Sequence, residues 1–342
     1  MPLSRCSVCG GVAAGLTVRT GRPALSVRVV MTHRTPESLF VALMMCAASC
    51  GVALAGGENV EVATSGLRVW VTGPGVVELD LGTGRVLQRL TVPAAPFPLG
   101  VTIVGDEAWV ASAADRSTGG ALTRFAPDGH RRTVYRNSDG FVGALSTGAG
   151  SVWAVVGGRA RGVAEFTRHG RLVRIRGPRN AGWLTGDDEG AWVTAGRRVV
   201  RLDSRPGAAG RSDPLALSGP ISTGTGGLWA ETADGLIRLD RRTLRVTRRI
   251  RFPDPLARTV PGNMTVGDHD VWLIRAPRPG PIGLVVRVSL ATGTVRARRI
   301  VAGANAIHID SRALWVTVAF PKERLLRLDP SSLKVLADYP LL

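Results

Sequence analysis

Residues 228–240 read Leu-Trp-Ala-Glu-Thr-Ala-Asp-Gly-Leu-Ile-Arg-Leu-Asp, and the same two elements recur along the chain. The first is a tryptophan between apolar or small residues. The second is a five-residue run of two apolar residues, one charged residue, one leucine and one aspartate, as at residues 76–80, 199–203 and 325–329. The tryptophans of the repeat are Trp70, Trp109, Trp153, Trp192, Trp229, Trp272 and Trp315. They stand 37 to 44 residues apart, which is the length of one four-stranded β-propeller blade.

Short alternating runs separated by Gly and Asp predict consecutive β-hairpins in every repeat. One blade cannot bury both of its faces, whereas seven blades packed around an axis can. The sequence therefore predicts an all-β fold, a seven-bladed β-propeller of four-stranded antiparallel blades over residues 56–342. The fourth strand of blade 4 is expected between Arg211 and Leu217. The last blade ends with its own fourth strand, so ring closure should bring blade 1 directly against blade 7.

A small or polar residue stands seven positions before each repeat tryptophan. These residues are Ala63, Thr102, Ser146, Thr185, Ser222, Thr265 and His308. In one interpretation, small residues let the inner strands converge at the crowded axis. In the other, they line a polar channel whose unusual member, His308, binds a ligand or a metal. The repeat tryptophans are expected to be buried between blades, and Trp183, outside the seven-fold pattern, to be more exposed.

An apolar run of ten residues, 39–48, precedes the repeats. It is too short to span a bilayer, which takes about 20 residues, and it has the length of a signal-peptide core. Because Ala53-Leu54-Ala55 matches the small-x-small cleavage pattern, residues 31–55 are predicted to be a signal peptide. The loose lipobox Ala-Ala-Ser-Cys makes Cys50 a candidate lipid-attachment site. Residues 1–30 are interpreted as a mis-assigned start or a disordered segment.

The composition restricts the chemistry of the repeats. All four cysteines, Cys6, Cys9, Cys46 and Cys50, lie before residue 51, so the repeats form neither a disulfide nor a cysteine-based metal site. The chain carries 44 Lys and Arg against 26 Asp and Glu. Nucleic acid is not an expected partner, because base-stacking aromatic residues are missing from the arginine runs and export is predicted. The sequence contains no nucleophile-elbow, zinc-protease or P-loop motif.

The apolar-Trp-Val strand followed by Arg-Leu-Asp-x-x-Thr/Ser-Gly resembles the YVTN-type propeller repeats and the related streptogramin-lyase-like propellers. The resemblance covers residues 57–340 and implies architecture more than activity, since such propellers include enzymes, ligand binders and scaffolds. For the lyases, it implies a metal held by His and Glu side chains on one face. The candidates here are His308, His269 and Glu231. Because the two histidines are not at equivalent repeat positions and Trp-Ala-Glu occurs once, no metal site is assigned.

Consecutive hairpins place two kinds of connection on opposite faces of the disc. The loops between second and third strands and between blades share one face, here called the long-loop face, and the tight turns share the other, the turn face. Basic residues outnumber acidic ones on the long-loop face. Arg159, Arg161, Arg197, Arg198 and Arg275 are predicted to converge there near the channel mouth. Arginine captures carboxylate or phosphate groups in a bidentate manner, so these five residues predict a site for an anionic partner.

The leading hypothesis is a non-catalytic binding or scaffold protein that needs no cofactor and is monomeric. It is expected to be extracytoplasmic, either secreted or attached to the membrane as a lipoprotein. Its expected partner is a protein or an anionic cell-surface polymer. The alternative is a streptogramin-lyase-like lyase or hydrolase that uses a divalent metal.

Overall fold

The computed structural model describes residues 16–19, 26–29, 61–65, 68–73, 75–92, 97–114, 119–202, 210–224, 227–253, 256, 259–277, 282–319 and 322–341. The chain forms two compact units, Met1–Leu54 and Ala55–Leu342. In the first unit, β1 (Leu16–Arg19) pairs antiparallel with β2 (Ser26–Val29). The apolar run 39–48 and Cys50 lie outside the described residues, so the signal peptide and the lipid anchor remain predictions. In the described part of the chain, no helix is long and apolar enough to cross a membrane.

The second unit consists of seven antiparallel sheets that follow one another along the chain. Blade 1 contains β3 (Val62–Ser65), β4 (Arg68–Thr72), β5 (Val76–Asp80) and β6 (Val86–Leu90). Blade 2 contains β7 (Phe97–Val104), β8 (Glu107–Ala113), β9 (Gly120–Phe125) and β10 (Arg131–Asn137), and blade 3 contains β11 (Val142–Gly148), β12 (Ser151–Val156), β13 (Gly162–Thr167) and β14 (Leu172–Arg176). Blade 4 contains β15 (Ala181–Asp187), β16 (Gly190–Ala195) and β17 (Arg198–Leu202), and blade 5 contains β18 (Leu217–Gly224), β19 (Gly227–Thr232), β20 (Gly235–Leu239) and β21 (Val246–Arg251). Blade 6 contains β22 (Thr259–Val266), β23 (Asp270–Pro277), β24 (Ile282–Ser289) and β25 (Val295–Ala302), and blade 7 contains β26 (Ala304–Ile309), β27 (Leu314–Val318), β28 (Arg324–Leu328) and β29 (Val335–Pro340).

The ring closes as the sequence predicts. Each first strand contacts the first strand of the next blade, and β26 of blade 7 contacts β3 of blade 1. Strand β29 pairs with β28 of its own blade. Blades 1 and 7 also share one hydrophobic cluster, which includes Val69, Trp315 and Leu341. Closure therefore comes from packing of blade 1 against blade 7, and the seven-bladed architecture is confirmed.

Blade 4 departs from the predicted fourth strand between Arg211 and Leu217. Its sheet has three strands in the described residues, and Arg211 makes a single bridge with Val200. The Ser212 hydroxyl accepts the Val199 N–H at 3.0 Å, and Pro214 has no N–H to give to a ladder. Leu217 belongs instead to the first strand of blade 5. The outer edge of blade 4 is thus an irregular segment, held by backbone hydrogen bonds from Arg201 to Gly210 and from Ser212 to Val199 and by the Ser212 side chain.

The seven repeat tryptophans are buried, with exposed fractions between 0% and 6%. Each lies in a hydrophobic cluster that joins two neighbouring blades: Trp109 packs with Val142 and Phe166 of blade 3, for example. Trp183, by contrast, is 40% exposed. Both predictions for the tryptophans are confirmed. The hydrophobic core is therefore a set of seams between blades, each built around one large aromatic side chain.

The aspartate that ends a third strand forms the turn into the fourth strand. Asp80 Oδ1 accepts hydrogen bonds from the backbone N and from Oγ1 of Thr83, both at 2.7 Å. Asp240 and Thr243 repeat the arrangement at 2.7 and 2.9 Å. In blade 7, hydrogen bonds from Ser331 and Ser332 lower the pKa of Asp329 to about 2. The Asp-x-x-Thr/Ser part of the repeat is therefore explained by turn chemistry alone.

Candidate functional site

The residues seven positions before the tryptophans form a ring on the innermost strands. Each pairs in register with its tryptophan: Ala63 with Trp70, Thr102 with Trp109, Ser146 with Trp153, Thr185 with Trp192, Ser222 with Trp229, Thr265 with Trp272, and His308 with Trp315. At several seams the ring residue also binds the next blade. Thr185 Oγ1 accepts the Thr223 N–H at 3.2 Å, and Thr265 Oγ1 accepts the Ile309 N–H at 3.4 Å. Part of the ring therefore links the inner strands of neighbouring blades.

His308 belongs to this linking pattern. Its Nε2 lies 3.0 Å from Oγ1 of Thr64 in blade 1, across the seam that closes the ring. Burial lowers the pKa of His308, with a smaller opposing effect of the Asp310 carboxylate. The imidazole is half-buried and neutral at physiological pH. These contacts give His308 a place in ring closure equivalent to that of Thr185 and Thr265 at other seams.

The structure joins two residues that the sequence analysis treated separately. Arg275 of blade 6 donates a hydrogen bond through Nη1 to Oε1 of Glu231 in blade 5, and both side chains are 0% exposed. Arg275 also donates to Oγ1 of Thr259 at 2.6 Å and to its carbonyl at 3.0 Å, and its guanidinium lies 4.8 Å from the centre of the Phe252 ring. The prediction that Arg275 lies on the exposed long-loop surface is therefore wrong, because its charge is used inside the seam.

The repeat explains why a carboxylate stands at position 231. Two positions after the tryptophan, Thr72, Thr194 and Thr317 each accept a backbone N–H of the bulged first strand through Oγ1, at 2.9, 2.8 and 2.9 Å. In blade 5 the residue that would donate is Pro220, which has no N–H. Glu231 is thus free of this role and bonds to Arg275 of the next blade. Burial raises the pKa of Glu231 to about 7, although Arg275 acts in the opposite direction.

His269 lies apart from this buried pair, on the turn between β22 and β23. It is exposed and lines a cleft of about 510 Å³ between blades 5 and 6 on the turn face. Among the described residues, no group of three or more His, Cys, Asp or Glu side chains is placed to hold a metal. The three catalytic candidates, His308, His269 and Glu231, therefore occupy three different environments: the ring, a surface turn and a buried seam.

The remaining four predicted arginines lie on exposed loops of two neighbouring blades, 3 and 4, and their convergence at the channel mouth stays a prediction. Arg159 and Arg161 are exposed on the blade 3 loop, where the side chain of Arg159 is 96% exposed and 3.8 Å from Asp139. Arg197 and Arg198 are exposed at the corresponding loop of blade 4. Arg197 donates to the Leu215 carbonyl at 3.4 Å and Arg198 to the Ser212 carbonyl at 2.7 Å. These bonds hold the guanidinium groups in place while their surfaces stay accessible.

Trp183 lies on the first strand of blade 4, which pairs with the strand that leads into the Arg197–Arg198 loop. Its backbone N donates to Thr194 Oγ1 at 2.8 Å, and Ala181 pairs with Ala195. The connection from blade 3 to blade 4, with exposed Arg179, leads directly into this strand. We call this surface the basic corner; it consists of Arg159, Arg161, Arg179, Trp183, Arg197 and Arg198. A tryptophan outside the seven-fold pattern was the available signal for it, but its neighbours become evident only in the fold.

Acidic residues are scarce at the basic corner. Its loops, residues 137–141, 157–161, 177–180 and 196–198, are all described and contain one acidic residue, Asp139. On the turn face, by contrast, acids are paired with arginines. Glu107 bonds to Arg124 and Asp270 to Arg287, the latter at 2.6 Å. Five exposed arginines against Asp139 in these loops therefore distinguish the basic corner, and the segment that holds Arg197 and Arg198 adds one exposed residue of each sign, Arg211 and Asp213.

Comparisons with known proteins place the chain by fold alone. No protein-family profile matches it, and no curated protein sequence matches it at a significant level. BamB from Moraxella catarrhalis is 15% identical with a TM-score of 0.50, over 76% of this chain and 79% of that one. A candidate 6-phosphogluconolactonase from Bacteroides uniformis is 12% identical with a TM-score of 0.55, over 82% and 95%. A chain in a nidogen/laminin complex is 12% identical with a TM-score of 0.45, over 79% and 92%. The two structures with TM-scores of 0.50 and 0.55 support a β-propeller, and at such identities the activity is left to be argued from the site.

Proposed function

We propose that this propeller is a non-catalytic binding protein that holds a negatively charged macromolecular partner at the basic corner. The observation that carries the proposal is the composition of that corner: five exposed arginines and the exposed Trp183, with Asp139 as the acidic residue in the same loops. The propeller is consistent with a binding or scaffold role. Rigid blades support loops of this kind, and binding residues are frequent on such loops.

The two residue types complement each other chemically. An arginine fork binds carboxylate or phosphate groups through two parallel hydrogen bonds. A tryptophan offers a large rigid surface, and Trp and Arg are enriched among the residues that dominate binding energy at protein interfaces. Because Arg197 and Arg198 are already oriented by backbone carbonyls, little side-chain freedom remains to be lost on binding. The arrangement therefore favours a partner with several closely spaced negative groups.

The test uses polyglutamate coupled to a matrix as the anionic probe. One variant carries glutamine at Arg159, Arg161, Arg179 and Arg197. A control variant loses the same charge elsewhere, with glutamine at the exposed residues Arg132, Arg171, Arg249 and Arg298. The corner variant should lose at least tenfold in affinity at about 0.1 M salt, where the screening length is about 10 Å, whereas the control should retain the wild-type affinity. Equal losses in the two variants would mean that the attraction is diffuse, and the proposed site would be wrong.

Trp183→Ala separates a defined site from charge attraction. It leaves the net charge unchanged, and a partner that contacts the indole should bind several-fold more weakly. If Trp183→Ala does not change the retention of the protein on polyglutamate, the arginines alone make the contact and Trp183 is not part of the site.

We also propose an extracytoplasmic location, as a secreted protein or a lipoprotein, and a monomeric state. The support is the sequence of the leader, with its apolar run at 39–48 and the small-x-small site before Gly56. Mass spectrometry of the protein from its host should find a chain that starts at Gly56, or at a lipid-modified Cys50. A chain that begins before Ser49 would contradict the proposal.

A further inference from the structure

The seam between blades 5 and 6 lacks a hydrogen bond that other seams have. Trp192 Nε1 donates to the Arg241 carbonyl of the next blade at 3.1 Å, and Trp272 Nε1 donates to the Pro330 carbonyl of the next blade at 3.0 Å. Each acceptor directly follows the aspartate at the end of a third-strand repeat, Asp240 or Asp329. The equivalent acceptor for Trp229 would be Leu290 of blade 6. Nε1 of Trp229 is buried without a hydrogen-bond partner among the described residues, as is Nε1 of Trp109, so the seam between blades 5 and 6 lacks the cross-blade bond that its two neighbouring seams make.

The cleft of about 510 Å³ lies at this seam, on the turn face. Its walls come from both blades, with Trp229 and Leu290 at the apolar side. Arg248 of blade 5 donates to the Ala291 carbonyl of blade 6 and so spans the opening. The volume falls in the range of small-molecule sites, about 300–1,000 Å³. The cleft therefore offers space for a small ligand between two blades.

Positive charge dominates the lining of the cleft. Arginines 238 and 248 come from blade 5 and arginines 287 and 296 from blade 6, against two carboxylates, Asp268 and Asp270. Asp270 is 6% exposed and lies 2.6 Å from Arg287 Nη2 and 3.5 Å from Arg296 Nε, so one carboxylate serves two guanidinium groups. Counted over these four arginines and two aspartates, the lining has two more positive than negative charges. A compact dianion would balance it.

We propose that this cleft is a binding site for a small phosphate monoester. A phosphate monoester carries a charge near minus two at neutral pH, which matches the surplus, and its oxygens accept the paired N–H groups of arginine. The apolar wall formed by Trp229, Leu290 and Ala291 suits the organic part of such a molecule. The site lies on the turn face, so it is independent of the partner proposed for the basic corner on the opposite face.

Isothermal titration with glycerol 3-phosphate tests the proposal, with glycerol as the uncharged comparison. The wild-type protein should bind glycerol 3-phosphate at a single saturable site and should not bind glycerol. The double variant R248Q/R296Q should bind at least tenfold more weakly. The control R249Q/R298Q loses the same charge from the same two strands, outside the cleft, and should bind as the wild type does.

A second variant changes the shape of the cleft and leaves its charge intact. Ala291 is exposed on the turn between β24 and β25 and lines the opening, so Ala291→Phe should block entry without disturbing the core. Thermal unfolding confirms that the variant is folded. The site is supported if A291F loses binding and R248Q/R296Q, tested separately, loses it too. Unsaturable wild-type binding, equal weakening in the two arginine doubles, or full binding by A291F would each overturn it.

Discussion

Glu231→Gln should leave the stability of the propeller unchanged in acid and increase it at pH 8. Burial raises the pKa of Glu231 to about 7 from an ordinary value of 4.5. Between these two values the folded protein keeps a proton that the unfolded chain has released, so the free energy of unfolding of the wild type falls as pH rises. A shift of this size corresponds to about 3 kcal/mol, at about 1.4 kcal/mol per pKa unit. Glutamine has the same shape and cannot ionise, so the variant avoids this loss.

The expected sign depends on which effect is larger in the buried pair. Two unit charges about 4 Å apart attract each other by about 4 kcal/mol at an effective dielectric constant of about 20. Removing two ions from water costs several kcal/mol for each, and buried pairs are often no better than neutral replacements. Glu231 Oε2 has no hydrogen-bond partner among the described residues, so part of that cost is not recovered. Desolvation therefore outweighs attraction here.

Urea unfolding at pH 5 and pH 8, followed by tryptophan fluorescence, measures the difference. The control is Glu165→Gln in blade 3, where the carboxylate accepts a hydrogen bond from Arg174 at 2.7 Å and one from Ser151 at 3.1 Å. Both of its oxygens are bonded and Arg174 is 26% exposed, so E165Q should destabilise the protein by about 1–3 kcal/mol. If E231Q lowers the urea midpoint at pH 8 as E165Q does, the ion pair is stabilising and the reasoning about desolvation is refuted.

Two further predictions concern the seams and the ring. Trp109→Ala should cost about 3–5 kcal/mol in urea unfolding because Trp109 is fully buried, whereas Trp183→Ala, at a site 40% exposed, should cost less than about 1 kcal/mol; similar losses would contradict the assignment of Trp183 to the surface. Burial lowers the pKa of His308. As pH falls below about 6.5, His308 is therefore protonated in the unfolded chain before it is protonated in the folded protein. The contribution of this residue to stability is lost in acid as a result. The loss of stability between pH 8 and pH 5.5 should be smaller in His308→Gln than in the wild type, and equal pH dependence in the two proteins would show that the imidazole does not titrate in this way.

Blade number and register could be predicted from the sequence because both depend on a local pattern repeated seven times. A tryptophan and the residue seven positions before it pair across one hairpin, as Thr185 pairs with Trp192. The fourth strand of blade 4 could not be predicted in the same way. There the Ser212 hydroxyl takes the place of a backbone acceptor for Val199, and composition does not show whether a serine side chain replaces a ladder bond.

The candidate site was predicted less completely, since charge counts along the chain do not show which charges meet. The sequence predicts Arg275 on the long-loop face. In the structure it bonds to Glu231, which is 44 residues away in the sequence. The clue lay in Pro220, because a proline at the donor position removes the bond that blades 1, 4 and 7 make at this point. Likewise, the sequence does not show that Asp270 lies between two arginines, Arg287 and Arg296.

The repeat itself supplies the reference against which these departures can be interpreted. In several blades the same positions meet the same backbone groups, so a residue that breaks the pattern either relieves a local problem or adds a contact that the fold does not need. Glu231 is of the first kind, since Pro220 cannot donate to it and it bonds within the seam. Trp183 and the cleft beside Trp229 are of the second kind. An exposed indole gains little for stability, and a cleft lined by four arginines and two aspartates is not needed to bury Trp229. A sequence that keeps both features is better explained by binding at these two places than by folding.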